Sequence, residues 1–227
     1  LSISASNLDE FFMVRVASLK DMVNAGYHKK DIAGLTPEKQ LALLNKETHA
    51  LVKRQYATYN GLLLPQLLEN GLRLIEHHED LTKAEAAYVD SYFADNVYPV
   101  LTPMAVDSSR PFPLIRNKSL NIGALVRKKN GENELEFATV QVPSVLSRIV
   151  LIPAEEGKAM ILLEEVIERN IHKLFLNYDI VCAYPFRIMR NADLSIEEEE
   201  AGDLLQEIEK QRIKREWGEA IRLEEDA

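Results

Sequence analysis

The spacing of apolar residues changes near residue 98 and divides the chain into two parts of different character. From residue 8 to about residue 96, apolar residues recur three and four positions apart, as in Leu41 and Leu44. This is the periodicity of amphipathic helices, and it predicts a helical bundle. After residue 113 the apolar residues gather in short branched and aromatic runs, which are typical of strands. We therefore expect an α+β protein, with a helical N-terminal domain over residues 1–98 and a mixed α/β head domain over residues 99–227.

Local signals mark the ends of the predicted helices. Thr36 followed by Pro37 predicts a helix start, and Thr82 with Glu85 forms the pattern of a capping box. Breaks are expected at three glycine-containing positions, Gly34, Asn60-Gly61 and Asn70-Gly71.

The second part is predicted to begin after a connector. Four prolines between residues 98 and 113 remove backbone donors and bias their neighbours to extended conformations. Strands are then predicted over residues 120–127, 135–142, 149–152, 180–189 and 220–223, the first two as a hairpin because Lys129-Asn130-Gly131 separates them. Helical spacing predicts helices over residues 160–175 and 195–215.

Composition excludes several classes of protein. A formal net charge of −9 and a pI near 5.2 argue against nonspecific nucleic-acid binding, which depends on neutralising phosphates. A single cysteine, Cys182, rules out an internal disulfide and a multi-cysteine zinc site, and we expect it in a buried strand. The sequence shows neither a transmembrane run nor a signal peptide, so we expect a cytoplasmic protein.

Three segments in the same order carry a resemblance to polyphosphate kinases. They are Ser6-Asn7-Leu8-Asp9-Glu10-Phe11-Phe12-Met13-Val14-Arg15-Val16, then Leu101-Thr102-Pro103-Met104-Ala105-Val106-Asp107 with Arg110-Pro111-Phe112-Pro113, and Phe186-Arg187-Ile188-Met189-Arg190-Asn191-Ala192-Asp193-Leu194. The resemblance spans the whole chain, through the family's N-terminal and head domains and toward the start of the next domain. The family's opening helix before Leu1 and its catalytic domains after Ala227 are missing from this sequence.

The resemblance implies an activity for the intact protein, which would transfer the terminal phosphoryl group of ATP reversibly to polyphosphate. It implies Mg²⁺ as the ion that neutralises phosphate charge, and a phosphoryl-accepting histidine in the following catalytic domain. We therefore assign no catalytic residue and no metal ligand here, and we expect this part alone to be inactive and to hold no cofactor entirely by itself. The resemblance further implies a homo-oligomer assembled through the head domain, and peripheral membrane association of the intact protein is left open.

Asn7 is the residue that the resemblance implies in ATP binding, because the family's nucleotide-contacting asparagine maps onto it. A carboxamide offers both a donor and acceptors, which suits the edge of an adenine. The alternative is that Ser6 or Asn7 caps a helix whose first turn holds Asp9 and Glu10. The adjacent Phe11, Phe12 and Met13 are expected in the core.

Arg110 and Arg116 are candidate phosphate contacts. They belong to the cationic stretch from Arg110 to Lys129, which could steer a phosphate chain. The alternative is a solvated hairpin turn at residues 127–129. The carboxylates of residues 197–200 fit a helix with a capping box at Ser195 and Glu198 better than a metal site. The five histidines show no ligand spacing and are expected to be exposed.

Two hypotheses of different classes follow. The first is the ATP-binding and assembly portion of a polyphosphate kinase. The second is a noncatalytic oligomerisation module in which Asn7 serves only as a cap.

Overall fold

The computed structural model describes residues 1–106, 114–129, 135–153, 157–192 and 218–225, and it confirms an α+β protein with an N-terminal helical region. The chain forms two compact units. The first takes in residues 1–59 and 115–118 together with the described residues between 188 and 223, and the second holds most of the remainder. The predicted domains, residues 1–98 and 99–227, divide the chain elsewhere, and that division stays a prediction.

The first unit is built on long helices. They are α1 (Ser2–Phe11), a π-helical turn (Phe12–Val16), α2 (Ala17–Asn24) and α3 (Pro37–Thr58). Thr36 is at the N-cap position of α3 and Pro37 is its first helical residue, as predicted, but the Thr36 side chain makes no capping hydrogen bond. Val16 and Ala17 are buried in a core cluster with Ile221, against which Leu41 and Leu44 of α3 pack.

The second unit combines two sheets with short helices. Its helical elements are α4 (Leu64–Glu69), a 3₁₀ turn (His78–Asp80), α5 (Lys83–Tyr92), a π-helical turn (Phe93–Val97), α6 (Leu163–Arg169) and 3₁₀ turns at Tyr98–Val100 and Ile171–Lys173. The strands are β1 (Leu72–Ile75), β2 (Pro103–Val106), β3 (Leu120–Lys128), β4 (Leu135–Gln141), β5 (Ile149–Ile152), β6 (Lys158–Leu162), β7 (Tyr178–Arg190) and β8 (Ala220–Glu225). The last two strands extend past this unit into the first.

The strands form sheets in the orders β1-β6-β5 and β2-β4-β3-β7-β8. The predicted hairpin is confirmed, since β3 and β4 pair antiparallel with Ala124 opposite Ala138. In the small sheet, β1 runs parallel to β6 with Leu72 opposite Lys158.

One core cluster holds the second unit together. It takes alternate residues of β3 and β4, such as Ile122 and Val140, and the inner faces of α5 and α6, including Val89 and Ile167. Burying a side chain of this size stabilises a fold by about 1.5–3 kcal/mol, so this cluster fixes the helices on the sheets.

An ion pair adds to the α5–α6 contact. The Arg169 guanidinium donates from Nε to Asp90 Oδ1 at 2.8 Å and from Nη2 to Oδ2 at 3.1 Å. These hydrogen bonds hold the pKa of the Asp90 carboxyl below its usual value, against a smaller opposing effect of burial.

Four expectations about secondary structure need correction. Asn60-Gly61 does not break the helix, because a π-helical turn (Tyr59–Leu63) carries the chain on into α4. Strands β1 and β2 lie in segments predicted as helix and connector, and residues 160–162 belong to β6 rather than to a helix. Cys182 is in a strand as expected but is only half-buried. The helix predicted over residues 195–215 lies outside the described residues.

Candidate functional site

Asn7 lies inside a helix, not at its start. α1 begins at Ser2, so Ser6 and Asn7 are already one turn or more into it, and no acidic residue stands in its first turn. The capping interpretation of Ser6 and Asn7 is therefore wrong. The error arose because Asn followed by acidic residues is the common pattern of a helix start, and the pattern cannot show where the preceding turn of helix ends.

The Asn7 side chain belongs to the exposed face of α1. Residues three and four apart share a face of a helix, and Asn7 shares its face with Ile3 and Phe11. Ile3 is 77% exposed and Phe11 36% exposed, and Asn7 itself is exposed. Phe11 therefore departs from the predicted core position, whereas Met13 is buried and Phe12 packs against the core as predicted. Asn7 therefore lies on an exposed and partly apolar face of α1.

A π-helical turn follows Asn7 within the same sequence segment. It spans Phe12–Val16, with Met13 and Val16 buried and Val14 and Arg15 exposed. A π turn inserts an extra residue into the helix and rotates the side chains that follow, and such turns are frequent at functional sites. Met13 and Val16 of this turn belong to two separate core clusters, one with Met189 and one with Ile221.

Asn117 connects this π turn to β7. Its Nδ2 lies 3.5 Å from Met13 Sδ, and its Oδ1 accepts a hydrogen bond of 2.9 Å from the Arg190 backbone N–H. The backbone of Met13 is held as well, because its carbonyl accepts a 3.0 Å hydrogen bond from the Ala192 N–H. We call residues 6–16 the signature segment, and the helix that carries them the signature helix. These contacts set the orientation of the signature helix at Met13, about two turns from Asn7.

Arg190 joins three segments of the first unit. Its Nε donates to the Ile115 carbonyl at 2.9 Å and its Nη1 to the Gly218 carbonyl at 2.8 Å. The Arg222 guanidinium lies 4.8 Å from the centroid of the Phe12 ring, within the range of a cation–π contact. Sequence reasoning assigned no role to Asn117 or Arg190, although Arg190 stands inside the third family segment.

Lys118 faces the acidic side of α1. Its Nζ lies 3.9 Å from Asp9 Oδ2 and 3.9 Å from Glu10 Oε1. Its φ of 61° places it in the left-handed region, which non-glycine residues rarely adopt. Lys118 thus offsets acidic charge on α1 one turn beyond Asn7.

Of the two predicted phosphate contacts, the described residues include only Arg116. It is exposed, belongs to the same unit as Asn7, and directly precedes Asn117 and Lys118. Arg110 lies outside the described residues, as do the carboxylates of residues 197–200 and the capping box proposed for Ser195 and Glu198.

The cations of the predicted hairpin turn make structural contacts. Lys128 Nζ pairs with Glu136 Oε1 at 2.5 Å, and Lys129 Nζ donates to the Leu176 carbonyl at 3.0 Å. Both lysines, although exposed, therefore contribute contacts within the fold.

The histidines are exposed as expected at four of five positions, and His78 is the exception. His28, His49, His77 and His172 are exposed, whereas the side chain of His78 is 19% exposed and lies against Glu165. The expectation failed because Glu165 reaches His78 from 87 residues away, a contact that no local spacing reveals.

Comparison with known proteins gives two matches to family models and a set of curated relatives. Residues 1–75 match the polyphosphate kinase N-terminal domain, and residues 84–227 match the polyphosphate kinase middle domain. The polyphosphate kinases of Halalkalibacterium halodurans and Bacillus anthracis are 49% and 48% identical to this chain, in each case over 99% of its length. The polyphosphate kinase of Synechocystis is 41% identical over the whole chain.

A solved structure agrees in fold. The chain superposes on the crystal structure of polyphosphate kinase from Porphyromonas gingivalis with a TM-score of 0.69, over 94% of this chain and 32% of that one, at 23% identity. Such an identity supports a shared fold and no more.

The matches over residues 1–75 and 84–227 place the chain in the class of proteins that share this pair of N-terminal and middle domains. Within that class, the chain belongs to the polyphosphate kinase family. It spans about a third of the length of the curated relatives that it matches.

Proposed function

We propose that the intact protein transfers the terminal phosphoryl group of ATP reversibly to polyphosphate, and that this part contributes to ATP binding through Asn7. Membership of the polyphosphate kinase family carries the proposal. The phosphoryl-accepting histidine and the Mg²⁺ that neutralises phosphate charge belong to the remainder of the protein in this proposal. The noncatalytic module is the weaker hypothesis, because relatives over 40% identical along this chain are named as kinases.

The position of Asn7 supports its part in the proposal. Asparagine is among the weaker helix formers and costs an exposed helix interior about 0.5 kcal/mol relative to alanine. Among the described residues, Asn7 has no recorded side-chain hydrogen bond that would offset this cost, and its exposed side chain can meet a ligand. Replacing Asn7 should therefore remove little from the fold, so that its contribution to nucleotide binding can be measured separately from stability.

The proposal extends to phosphate contacts and assembly. Arg110 and Arg116 supply cationic contacts to the phosphate chain, and the head domain, residues 99–227, supplies contacts between copies of the protein. We place the intact protein in the cytoplasm, with peripheral membrane association open to test. No helix in the described part of the chain is long and apolar enough to span a membrane.

Replacement of Asn7 in the intact protein tests the nucleotide role. We expect Asn7→Ala to raise the KM for ATP by about 2- to 13-fold, the equivalent of one neutral hydrogen bond of 0.5–1.5 kcal/mol. The same change should leave stability unchanged or raise it by about 0.5 kcal/mol, because alanine is the better helix former. Asn45→Ala is the matched control, since Asn45 is also exposed inside a helix, α3, and should show the stability effect alone.

The KM for ATP of the two variants distinguishes nucleotide binding at Asn7 from a surface role without binding. A raised KM for Asn7→Ala beside an unchanged KM for Asn45→Ala supports nucleotide binding at Asn7. An unchanged KM in both variants contradicts it and leaves Asn7 as a surface residue of the helix.

Labelled nucleotide tests the division of the activity along the protein. We expect this chain alone, incubated with Mg²⁺ and γ-labelled ATP, to label neither itself nor polyphosphate, while an intact relative labels both. Labelled protein from this chain would place a phosphoryl acceptor within it, and His172 and His49 would then be the first residues to replace.

A further inference from the structure

A histidine and two glutamates come together in the second unit, apart from the signature helix. His78 and Glu79 belong to the 3₁₀ turn before α5, and Glu165 belongs to the first turn of α6. One ligand atom from each of the three residues can be chosen so that all lie within 4.8 Å of one another. None of these residues belongs to the three short sequence segments in which the polyphosphate kinase resemblance was first found.

The carboxylate of Glu165 is fixed in place. Its Oε2 accepts a 2.9 Å hydrogen bond from the His78 backbone N–H and lies 3.2 Å from His78 Nδ1. Glu165 is 8% exposed, so little solvent remains to screen its charge. Metal-binding carboxylates are commonly held by such a second hydrogen bond, which orients them before the ion arrives.

No lysine or arginine among the described residues forms an ion pair with Glu165. The neighbouring buried carboxylate, Glu164, pairs with the Arg148 guanidinium. Glu165, in contrast, has only His78 as a recorded ion-pair partner among the described residues, and imidazole carries a charge only when protonated. A nearly buried carboxylate in this position favours a bound cation.

The distances suit one ion of the zinc type. Bonds of about 2.0–2.1 Å to nitrogen and oxygen place the ligands of a tetrahedral zinc about 3.3 Å apart. Nδ1 of His78 lies 3.2 Å from Glu165 Oε2, close to that separation. Glu79 Oε1 lies 3.4 Å from the other ring nitrogen, Nε2, so the two carboxylates meet opposite nitrogens of His78 in this structure. Binding one ion at Nδ1 therefore requires the Glu79 side chain, which is 72% exposed, to turn toward Glu165.

We propose that His78, Glu79 and Glu165 bind a Zn²⁺ ion through His78 Nδ1 and one oxygen of each carboxylate, with water completing the coordination. An imidazole nitrogen selects zinc over Mg²⁺, which prefers oxygen ligands alone. The ion links the turn before α5 to the start of α6, across 87 residues of sequence. Its role is structural, and it is independent of the nucleotide role proposed for Asn7.

Zinc titration of the purified protein tests the site, with His77 as an internal control. His77 is exposed, directly precedes His78 and lies outside the cluster. By calorimetry we expect His78→Gln and Glu165→Gln to weaken Zn²⁺ binding at least 10-fold and His77→Gln to leave it unchanged. Zn²⁺ should raise the unfolding temperature of the unchanged protein and of His77→Gln, and Mg²⁺ at the same concentration should not.

Two results overturn the proposal. One is no Zn²⁺ binding by the unchanged protein in the micromolar range, and the other is equal affinity in the His77→Gln and His78→Gln variants. If His78→Gln fails to fold, Glu79→Gln takes its place, because an exposed side chain can be changed without disturbing the core. Loss of affinity in Glu79→Gln supports the site, and full affinity excludes Glu79 from it.

Discussion

Gly157 and Gly71 meet at the start of the small sheet. Replacing each by alanine separates the cost of a positive φ from the cost of a steric clash. Both have positive φ, +70° for Gly157 and +76° for Gly71. A Cβ at Gly157 would lie 2.6 Å from the Gly71 carbonyl oxygen, closer than Cβ atoms approach a heavy atom. A Cβ at Gly71 would meet only the Gly157 Cα, at an ordinary 3.9 Å.

The magnitudes follow from these distances. An alanine at positive φ costs about 1–2 kcal/mol, and the stiffer unfolded chain returns about 0.4–1 kcal/mol, so Gly71→Ala should cost about 1 kcal/mol. Gly157→Ala carries the same cost and must also push the Gly71 carbonyl away. That carbonyl accepts a 2.8 Å hydrogen bond from the Lys158 N–H where β1 meets β6. Overpacking and the weakened hydrogen bond add about 2–4 kcal/mol.

Urea unfolding followed by circular dichroism measures both free energies, and hydrogen exchange at the Lys158 amide reports the local effect. We expect Gly157→Ala to lose about 3–5 kcal/mol and the Lys158 amide to exchange faster in it than in Gly71→Ala. Equal losses in the two variants would refute the reasoning, because they would show that backbone conformation alone, and not the close approach of the two glycines, sets the cost.

Three further predictions concern single side chains. Asp90→Asn should lower stability by about 1 kcal/mol at pH 7. Because Arg169 holds the pKa of Asp90 below its usual value, the ion pair stabilises the fold fully above the unfolded-state pKa of this carboxyl, and the stabilisation disappears as pH falls through the lower folded-state pKa. Thermal melts of both proteins from pH 7 to pH 2 would show this loss. Thr82→Ala should cost about 1 kcal/mol in urea unfolding, since it removes a capping box whose Glu85 N–H donates to Thr82 Oγ1. Arg190→Met should cost about 2–4 kcal/mol by the same assay, because two backbone carbonyls lose a charged donor, and a loss below 1 kcal/mol would contradict the joining role of Arg190.

The elements that sequence reasoning found correctly are those whose signals are local. The capping box at Thr82 and the helix start at Thr36 depend on residues within one turn, so the sequence contains the whole interaction. The hairpin of β3 and β4 is similarly local, with a turn sequence between alternating strands.

The missed elements depend on distant partners. β1 is a four-residue strand that becomes recognisable only through its parallel pairing with β6, which begins more than 80 residues later. β2 is an edge strand of the large sheet and begins with Pro103, and both an edge strand and the first residue of a strand tolerate a proline. Prolines that predicted a connector therefore stand next to a true strand.

The candidate site shows the same limit. The resemblance located Asn7 in the sequence, but the local pattern gave it the wrong structural role as a cap. Nothing in the periodicity of residues 6–16 reveals the π turn, and the contacts of Met13 with Asn117 and Ala192 form only when segments more than 100 residues apart meet.

The signature segment therefore divides its residues between two physical tasks. Met13 and Val16 fix the helix to the rest of its unit. Asn7 stands on the exposed face, and its side chain makes no hydrogen bond to the described part of the chain. Substitutions of the buried residues and of Asn7 should therefore have different effects on stability and on nucleotide affinity. Met13→Ala removes a buried side chain and should cost about 2–5 kcal/mol while also displacing Asn7, so stability and nucleotide affinity fall together. A change at Asn7 alone should alter affinity without a loss of stability, and this separation distinguishes a binding residue from one that shapes the helix.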